Sequence, residues 1–299
     1  MNVLITGITG QLGFDCAVEL IKRGHKIFGV GSKDAWNAQQ IKCIYTEMNI
    51  ANKESDFWVV REIAPDVIIH CAAWTNVDGA EDAENREKVD AVNHLGTQYL
   101  AEAARAVDAK MIYVSTDYVF NGQGTEPWQP DDKSYAPLNV YGQSKLAGEL
   151  AVAGTLEKYF IVRTAWVFGL NGKNFVKTMV NVGRTHDAVR VVSDQIGTPT
   201  YTKDLARLLA DMAESEKYGY YHATNEGGYI SWYDFTREIY RQAGLDTKVI
   251  PVTTEEYGLS KAKRPFNSRL DKSKLIENGF RPLPDWKDAL ERYLTEAEL

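Results

Sequence analysis

Short apolar segments alternate with helical patterns through the first 165 residues, and this alternation limits the possible folds more than any other feature. Parallel strands need crossovers of about a dozen residues or more, so strands separated by helices form a parallel sheet with helices on both faces. The pattern predicts an α/β fold whose doubly wound sheet holds a ligand at the carboxyl ends of its strands. We predict strands at residues 2–6, 26–30, 43–46, 66–71, 110–115 and 159–164, and helices at 11–23, 53–63, 84–107 and 139–152.

The alternation of strand and helix patterns becomes less regular after residue 164, where loops rich in Gly, Pro and Asn become longer. Further helices are predicted at 203–216, 232–243 and 286–296. We therefore expect two parts. Residues 1–165 form the sheet domain, and residues 166–299 form mainly a smaller, substrate-binding C-terminal lobe, with some segments returning to the sheet.

Composition excludes several classes of protein. The net charge is −7 and Lys and Arg do not cluster, so no nucleic-acid partner is expected. The longest strongly apolar stretch, residues 67–74, is far short of the ~20 residues that cross a bilayer. The N-terminus enters an apolar strand without a basic region, and Cys16, Cys43 and Cys71 form no paired pattern. We expect a cytoplasmic protein with reduced cysteines, no membrane partner and no metal site built on paired Cys or His.

A glycine-rich turn directly follows the first predicted strand and opens the first helix. Gly7, Gly10 and Gly13 are spaced GxxGxxG, with Gln11 and Leu12 between the last two. Glycines allow a tight turn and close backbone approach, so the amides of the helix start can bind a phosphate pair. This predicts a Rossmann-type dinucleotide site, against the alternative of a flexible turn with a packing glycine.

The end of the second predicted strand bears on which nicotinamide cofactor is used. An acidic residue there would bond the adenosine ribose, whereas a cation would accept a 2′-phosphate. The segment has Ser32 and Lys33 before Asp34, without a carboxylate at the strand end itself. This favours NADPH as the cofactor, with NADH as the alternative. The segment could also be a solvated surface turn that contacts no cofactor.

Tyr141 and Lys145 form a YxxxK pair on one face of a predicted helix. A nearby ammonium would lower the pKa of the phenol and make it a usable proton donor. The spacing recurs at Tyr257 and Lys261, but only the first pair follows the fifth strand of the sheet. Thr116 ends that strand, where its hydroxyl would bind a substrate carbonyl or, alternatively, only backbone.

Several ordered segments together resemble the dTDP-4-dehydrorhamnose reductase family, a branch of the extended short-chain dehydrogenases/reductases. The resemblance spans nearly the whole chain. The segments are GQLG at 10–13, AAWTNVD at 72–78, STDYVF at 115–120, NVYG at 139–142, RTAWVFG at 163–169, DQIGTPT at 194–200 and RPFNS at 264–268.

The resemblance implies a reductase that passes hydride from NAD(P)H to the C4 ketone of dTDP-4-dehydro-6-deoxy-L-mannose, giving dTDP-L-rhamnose. Thr116, Tyr141 and Lys145 would be catalytic. Cofactor-binding positions would be Gly7, Gly10, Gln11, Leu12, Gly13, Ser32, Lys33, Asn49, Ile50, Ala72, Ala73, Thr75, Asn93, Ser115, Tyr141 and Lys145. Substrate-binding positions would be Val77, Thr116, Asp117, Tyr118, Trp166, Asn174, Asp194, Gln195 and Arg264.

Some expectations stay open. Another nucleotide-sugar reductase or epimerase of the same superfamily is the nearest alternative, and a non-catalytic NADP-binding regulatory subunit is the alternative from another class. Some members of the family form a Mg²⁺-linked dimer through an acidic residue early in the first helix, where this chain has Asp15. The remaining ligands cannot be identified, so a Mg²⁺ site and the choice between monomer and homodimer are left open.

Overall fold

The computed structural model of the protein describes residues 1–32 and 41–299. The sequence interpretation of Lys33 and Asp34 lies outside these residues. The strands are β1 (Asn2–Thr6), β2 (Lys26–Gly31), β3 (Cys43–Glu47), β4 (Val67–His70), β5 (Lys110–Thr116), β6 (Tyr159–Thr164), β7 (Val167–Phe168), β8 (Ala188–Val192), β9 (Ile196–Gly197), β10 (Thr200–Tyr201), β11 (Gly219–His222), β12 (Ile230–Ser231) and β13 (Lys248–Val252).

The helices include three short ones and one interrupted by a π-helical turn. They are α1 (Gln11–Lys22), α2 (Lys53–Ile63), α3 (Arg86–Asp90), α4 (Gly96–Ala106), α5 (Val140–Thr155), α6 (Phe175–Gly183), α7 (Thr202–Ala213), α8 (Trp232–Ala243), α9 (Thr254–Tyr257), α10 (Ser273–Glu277) and α11 (Trp286–Glu296). The π-helical turn, Ala91–Leu95, joins α3 to α4. The single helix predicted at 84–107 is therefore divided, and the turn holds Asn93.

One parallel sheet of seven strands organises the part of the chain that the structure describes. Its order is β11-β6-β5-β4-β1-β2-β3. All six predicted strands are present with bounds within one residue of the prediction, so the doubly wound Rossmann-type architecture is confirmed. The order reverses between β1 and β4, and a reversal of this kind opens a crevice at the carboxyl ends of the strands.

The sheet is buried on both faces because neighbouring residues of a strand point in opposite directions. Val3 and Ile5 of β1 join a core that contains α1 and α7, while Leu4 joins a second core that contains α2, α4 and α5. Each of these three side chains is fully buried. This explains why the strands read as continuous apolar runs, which is typical of parallel sheets.

Residues beyond 165 contribute to both parts of the molecule. Strand β11 pairs with β6 at the edge of the main sheet, and α7 packs on α1. The other late elements surround a separate aromatic core with Phe168, Phe235, Trp286 and Tyr293. The sequence does not predict the strands of this lobe. Four of them, β7, β9, β10 and β12, have two residues each and carry no readable periodicity, while β8 and β13 pair with each other across a long stretch of chain.

No helix of residues 1–32 and 41–299 has both the length and the apolar character needed to span a bilayer.

One carboxyl group of the sheet domain is buried without a partner. Asp56 lies in the first turns of α2, its side chain is inaccessible, and neither oxygen has a hydrogen-bond partner within the described ranges. Burial raises the pKa of Asp56 to about 8. The folded protein therefore holds this carboxyl in its neutral form at neutral pH.

We predict that Asp56→Asn removes a pH-dependent loss of stability. The folded pKa of Asp56 lies above the unfolded value of about 4, so its contribution is complete below pH ~4 and declines as pH rises through about 8. The free energy of unfolding, measured by urea titration from pH 5 to 8, should fall by up to about 1.4 kcal/mol per pH unit more in the unaltered protein than in the variant. The exposed Asp187→Asn is the control, and parallel curves for the unaltered protein and Asp56→Asn would contradict the prediction.

Candidate active site

The glycine turn between β1 and α1 is shaped by two close backbone contacts. Gly7 has φ +65°, and a Cβ there would lie 2.8 Å from the backbone nitrogen of Ala72. A Cβ on Gly13 would lie 2.4 Å from the carbonyl oxygen of Gly7. Gly10 caps α1 without a side-chain hydrogen bond, and no acidic residue stands in the first turn. The first amides of α1 are thus placed to bind an anion.

The end of β4 lies directly beside this turn. The hydroxyl of Thr6 accepts a hydrogen bond from the amide of Ala72 at 3.1 Å and contacts Nδ1 of His70 at 2.6 Å. Burial, with the charge of Lys145, lowers the pKa of His70 to about 3, so the imidazole is neutral. Ala72 and Ala73 are therefore held at the crevice, while Thr75 is exposed beyond them.

Asn93 connects the β4 loop to the helix that carries the catalytic candidates. Its side chain accepts from the amide of Trp74 at 2.8 Å and donates to the carbonyl of Trp74 and to the hydroxyl of Ser144. Asn93 is buried, and all of its side-chain atoms are used in these bonds. Its interpretation as a cofactor-binding residue stays a prediction, and its visible role is to hold α5 against the loop.

Thr116, Tyr141 and Lys145 meet at the carboxyl end of β5. The side chain of Thr116 acts on the phenol of Tyr141 and opposes the rise in its pKa. Nζ of Lys145 donates to the carbonyl oxygen of Val114 at 2.8 Å and lies 4.0 Å from the centre of the Tyr113 ring. Asn139 caps the start of α5, because its side chain accepts a hydrogen bond from the amide of Gly142. The helix therefore begins early enough to carry both Tyr141 and Lys145.

The pKa values of this group differ from the sequence expectation. Burial raises the pKa of Tyr141 above its usual value, and the negative charge of Asp117 raises it further. Burial lowers the pKa of Lys145 to about 7. The expectation that Lys145 lowers the pKa of Tyr141 is wrong for this arrangement, because burial has the largest effect on the phenol and raises its pKa. The phenol is protonated at neutral pH, while the ammonium is close to losing its proton.

Asp117 and Tyr118 form the wall next to the triad. Oδ1 of Asp117 accepts from the hydroxyl of Thr116 at 3.1 Å, and Oδ2 accepts from the hydroxyl of Ser268 at 2.5 Å. Burial nevertheless raises the pKa of Asp117 to about 6. The Tyr118 ring packs edge-on against Tyr141, with centroids 5.6 Å apart. The hydroxyl of Thr116 therefore points toward the carboxyl group of Asp117.

Arg264 joins this wall to the loop after β4. Its guanidinium pairs with Asp78 at 2.5 Å and donates to the hydroxyl of Tyr118 at 3.4 Å. The amide of Ala262 donates to the same carboxylate at 2.9 Å. Asp78 therefore holds the segment that carries Arg264 against the loop after β4, and Val77, the residue before Asp78, is partly buried.

Trp166 has an unusual backbone. Its φ is +52°, a conformation that bulky residues rarely adopt. The indole stacks on Trp232 at a centroid distance of 3.7 Å, and a Cβ on Gly197 would lie 3.0 Å from the Trp166 ring. Backbone strain of this kind persists where packing over-determines it and clusters at binding sites.

Three predicted substrate residues use their side chains within the protein. Asn174 caps α6 by accepting from the amide of Lys177 at 3.0 Å. Asp194 accepts from the amide and hydroxyl of Thr254, and Gln195 donates to the same hydroxyl at 3.0 Å. Their contact with a substrate stays a prediction.

The remaining positions of the predicted cofactor site fall at the correct edge of the sheet. Asn49 and Ile50 follow β3, and Ser115 is the second-last residue of β5 and has a buried hydroxyl. Ser32 is exposed after β2, and Lys33 lies outside the described residues. Their contact with a cofactor stays a prediction.

The second YxxxK pair differs from the first as expected. Tyr257 ends the short helix α9, which Gly258 terminates with φ +61°, so the pair does not share a helix face. Lys261 is ion-paired with Asp82.

Three contributors were missed in the sequence. Ser268 and Asp78 supply bonds from distant segments, and Trp232 supplies the stack under Trp166. Ser268 and Asp78 lie within the resembling segments, which was the available signal.

The surroundings of Asp15 do not fit a Mg²⁺ ion. Burial raises the pKa of Asp15 to about 6, and Glu296 is the other acid that acts on it. Nζ of Lys203 lies 2.7 Å from Glu296, and the charge of Lys203 also lowers the pKa of Asp15. The Lys203 ammonium repels a divalent cation and occupies the Glu296 carboxylate, which leaves too few free oxygen ligands for Mg²⁺. Outside residues 33–40, no group of three metal-binding side chains occurs.

Comparison with known proteins gives consistent results. The family model described as RmlD substrate binding domain matches residues 1–299. The spore coat polysaccharide biosynthesis protein SpsK of Bacillus subtilis is 40% identical over 99% of this chain and 97% of its own. A dTDP-4-dehydrorhamnose reductase of Aggregatibacter actinomycetemcomitans is 40% identical over 99% of both chains. The crystal structure of dTDP-4-dehydrorhamnose reductase from Bacillus anthracis in complex with NADP is 40% identical, with a TM-score of 0.88 over 99% of both chains.

The sheet order, glycine turn and Thr–Tyr–Lys group define a short-chain dehydrogenase/reductase of the extended type. Within that class, the chain belongs to the RmlD family, whose relatives include the dTDP-4-dehydrorhamnose reductases.

A buried ion pair supports the segment that leads into α5. Arg163 binds Glu149 through two hydrogen bonds of 2.9 and 2.7 Å, and both side chains are inaccessible. The guanidinium also donates to the carbonyl of Pro130 and the hydroxyl of Tyr135, which precede α5.

We predict that Arg163→Met destabilises the fold by about 3–5 kcal/mol, because it leaves the Glu149 carboxylate buried without its partner. The double variant with Glu149→Leu should recover much of this loss, since no lone charge remains. Urea unfolding measures both values. Equal losses in the single and double variants would show that the charge is not the cause.

Proposed function

We propose that the protein reduces the C4 ketone of dTDP-4-dehydro-6-deoxy-L-mannose (dTDP-4-dehydrorhamnose) to give dTDP-L-rhamnose, with NAD(P)H as the hydride donor. The observation that carries this proposal is the Thr116–Tyr141–Lys145 group beside the glycine turn, in a chain 40% identical over nearly its full length to a reductase of that name. When bound, the reduced nicotinamide supplies the hydride to the sugar carbon.

Tyr141 donates the proton that the reaction consumes. Its raised pKa keeps the phenol protonated at neutral pH, so it can transfer a proton to the alkoxide that forms at C4. Thr116 holds the same oxygen by turning toward it the hydroxyl hydrogen that Asp117 accepts in this structure. The ammonium of Lys145 stabilises the phenolate left on Tyr141, and its own pKa near 7 permits proton return from solvent.

The glycine turn supports a nicotinamide cofactor with its pyrophosphate on the amides of residues 10–12. Ala72, Ala73 and Ser115 line the adjoining strand ends. We infer that NADPH is preferred to NADH, since Ser32 and Lys33 offer groups for a 2′-phosphate and the relative from Bacillus anthracis has NADP bound. The reaction as proposed needs no Mg²⁺.

The C-terminal lobe, residues 166–299, is proposed to hold the sugar nucleotide. Trp166 offers an aromatic face and Arg264 a cation for the diphosphate, while Asp117 and Tyr118 line the triad side. We propose that Val77, Asn174, Asp194 and Gln195 border the same crevice. The proposed location is the cytoplasm, with the protein acting as a monomer or homodimer.

An assay of NADPH oxidation against several nucleotide-linked 4-keto sugars tests the function. Turnover restricted to dTDP-4-dehydrorhamnose supports it. Turnover of another 4-keto sugar alone favours a different reductase of the superfamily, and tight NADPH binding with no turnover favours a regulatory subunit.

We predict that Tyr141→Phe lowers kcat by ~10²–10⁴-fold, the usual contribution of a general acid, while the dissociation constant for NADPH changes little because the ring remains. Tyr257→Phe is the matched control with the same YxxxK spacing, and it should keep kcat within a few-fold. Near-normal turnover by Tyr141→Phe would refute the assignment.

We predict that kcat/KM for reduction falls as pH rises through about 7. Lys145 loses its charge there, whereas the raised pKa keeps Tyr141 protonated. In Lys145→Arg the cation persists, so this fall should disappear even if the rate is lower. Steady-state rates from pH 6.5 to 9 measure the profile. An unchanged inflection in Lys145→Arg would assign it to another group.

A further inference from the structure

Asn174 joins three distant parts of the chain. Its Nδ2 lies 3.1 Å from Oε1 of Gln11, 3.0 Å from the hydroxyl of Tyr293 and 2.7 Å from the carbonyl of Gly169. Its Oδ1 accepts from the amide of Lys177. The Asn174 amide is thus fully used inside the protein, although the sequence predicts it as a substrate-binding position.

Gln11 brings the glycine turn into this cluster. It is the first residue of α1, where the backbone amides are placed to bind a pyrophosphate, yet its side chain reaches away to Asn174. The loop before α6 packs on the same side chain. A Cβ on Gly172, which has φ +78°, would lie 3.8 Å from Cγ of Gln11.

The other end of the cluster leads to the stacked rings of Trp166 and Trp232, here called the Trp166 platform. Phe175 follows Asn174 as the first residue of α6, and its ring lies 4.4 Å from Trp232. Trp232 stacks on Trp166 at 3.7 Å. A continuous series of contacts therefore runs from the glycine turn, through the start of α6, to the proposed sugar site.

Tyr293 anchors the cluster from α11. The residue is fully buried in the aromatic core, where its ring packs against Phe168 and Tyr201. The position of its hydroxyl is therefore set by the core. Asn174 is held between this fixed hydroxyl and the side chain of Gln11, whose order depends on the turn.

We propose that Asn174 is a positioning residue that couples binding of the cofactor pyrophosphate at the glycine turn to the order of α6 and of the Trp166 platform. An anion on the amides of residues 10–12 restricts the turn and with it Gln11, so the hydrogen bond to Asn174 costs less entropy. By linkage, a ligand on the platform then strengthens cofactor binding by the same factor. This second half rests on the proposed function, whereas the first half needs only a nucleotide at the turn.

Asn174→Asp separates the coupling role from the helix cap. The aspartate still accepts the Lys177 amide, because Asp is as good an N-cap as Asn, but it loses both N–H donors. Gln11→Met removes the side-chain amide of Gln11, and with it the acceptor for Asn174, and carries the same test if Asn174→Asp does not fold. Thr178→Ala is the matched control, since it removes a hydrogen bond from α6 to the Asn174 carbonyl without touching Gln11.

Hydrogen exchange with NADP⁺ as the probe tests the first half. In the unaltered protein and in Thr178→Ala, saturating NADP⁺ should slow amide exchange in α6, residues 175–183, by fivefold or more, within the usual range of coupling. In Asn174→Asp this slowing should vanish, with the NADP⁺ dissociation constant within a few-fold of normal. No slowing in the unaltered protein, or slowing retained in Asn174→Asp, would overturn the proposal.

Calorimetric titration with dTDP tests the second half. NADP⁺ should tighten dTDP binding about fivefold or more in the unaltered protein and leave it nearly unchanged in Asn174→Asp. Equal weakening of dTDP with and without NADP⁺ in the variant would mean that Asn174 contacts the nucleotide sugar directly, against the coupling role. Absence of dTDP binding to the unaltered protein would refute the proposed substrate class, while hydrogen exchange still decides the role of Asn174.

Discussion

Backbone hydrogen bonds between β1 and β4, β4 and β5, and β5 and β6 hold four strand ends at one edge of the sheet, and the chemistry of the protein depends on this register. Thr6 pairs with His70 and Thr116 with Thr164, so the turn after β1 and the residues after β5 lie two strands apart. Gly7 can approach Ala72 only because it lacks a side chain. A change in this register would separate the anion site from Tyr141.

Burial controls the charges at that edge. Desolvation raises the pKa of Tyr141 and Asp117 and lowers those of Lys145 and His70, so each group moves toward its neutral form. A protonated phenol beside an ammonium of pKa about 7 is suited to giving a proton and regaining it near neutral pH. Proximity of Tyr and Lys alone would have suggested the opposite shift for the phenol.

The sheet could be predicted because its strands are buried on both faces and leave continuous apolar runs in the sequence. Helices α2, α8 and α11 were predicted with their observed bounds, since each carries a clear start signal such as Asn52, Ser231 or Asp285. The short strands and α6 of the C-terminal lobe were not found. Their positions depend on pairing with distant segments, as β8 pairs with β13, and such pairing leaves no local pattern.

The sequence by itself determined the alternation of strands and helices, the glycine turn, and the resemblance that singles out Tyr141 over Tyr257. These are local or ordered signals, carried by residues close together in the chain. Only the tertiary structure decided which polar side chains bind other residues of the protein. Asn174 binds Gln11 and Tyr293, Asp194 binds Thr254, and Glu296 binds Lys203. The physical reason is that hydrogen-bond partners and desolvation come from segments more than fifty residues apart, which meet only when the core closes.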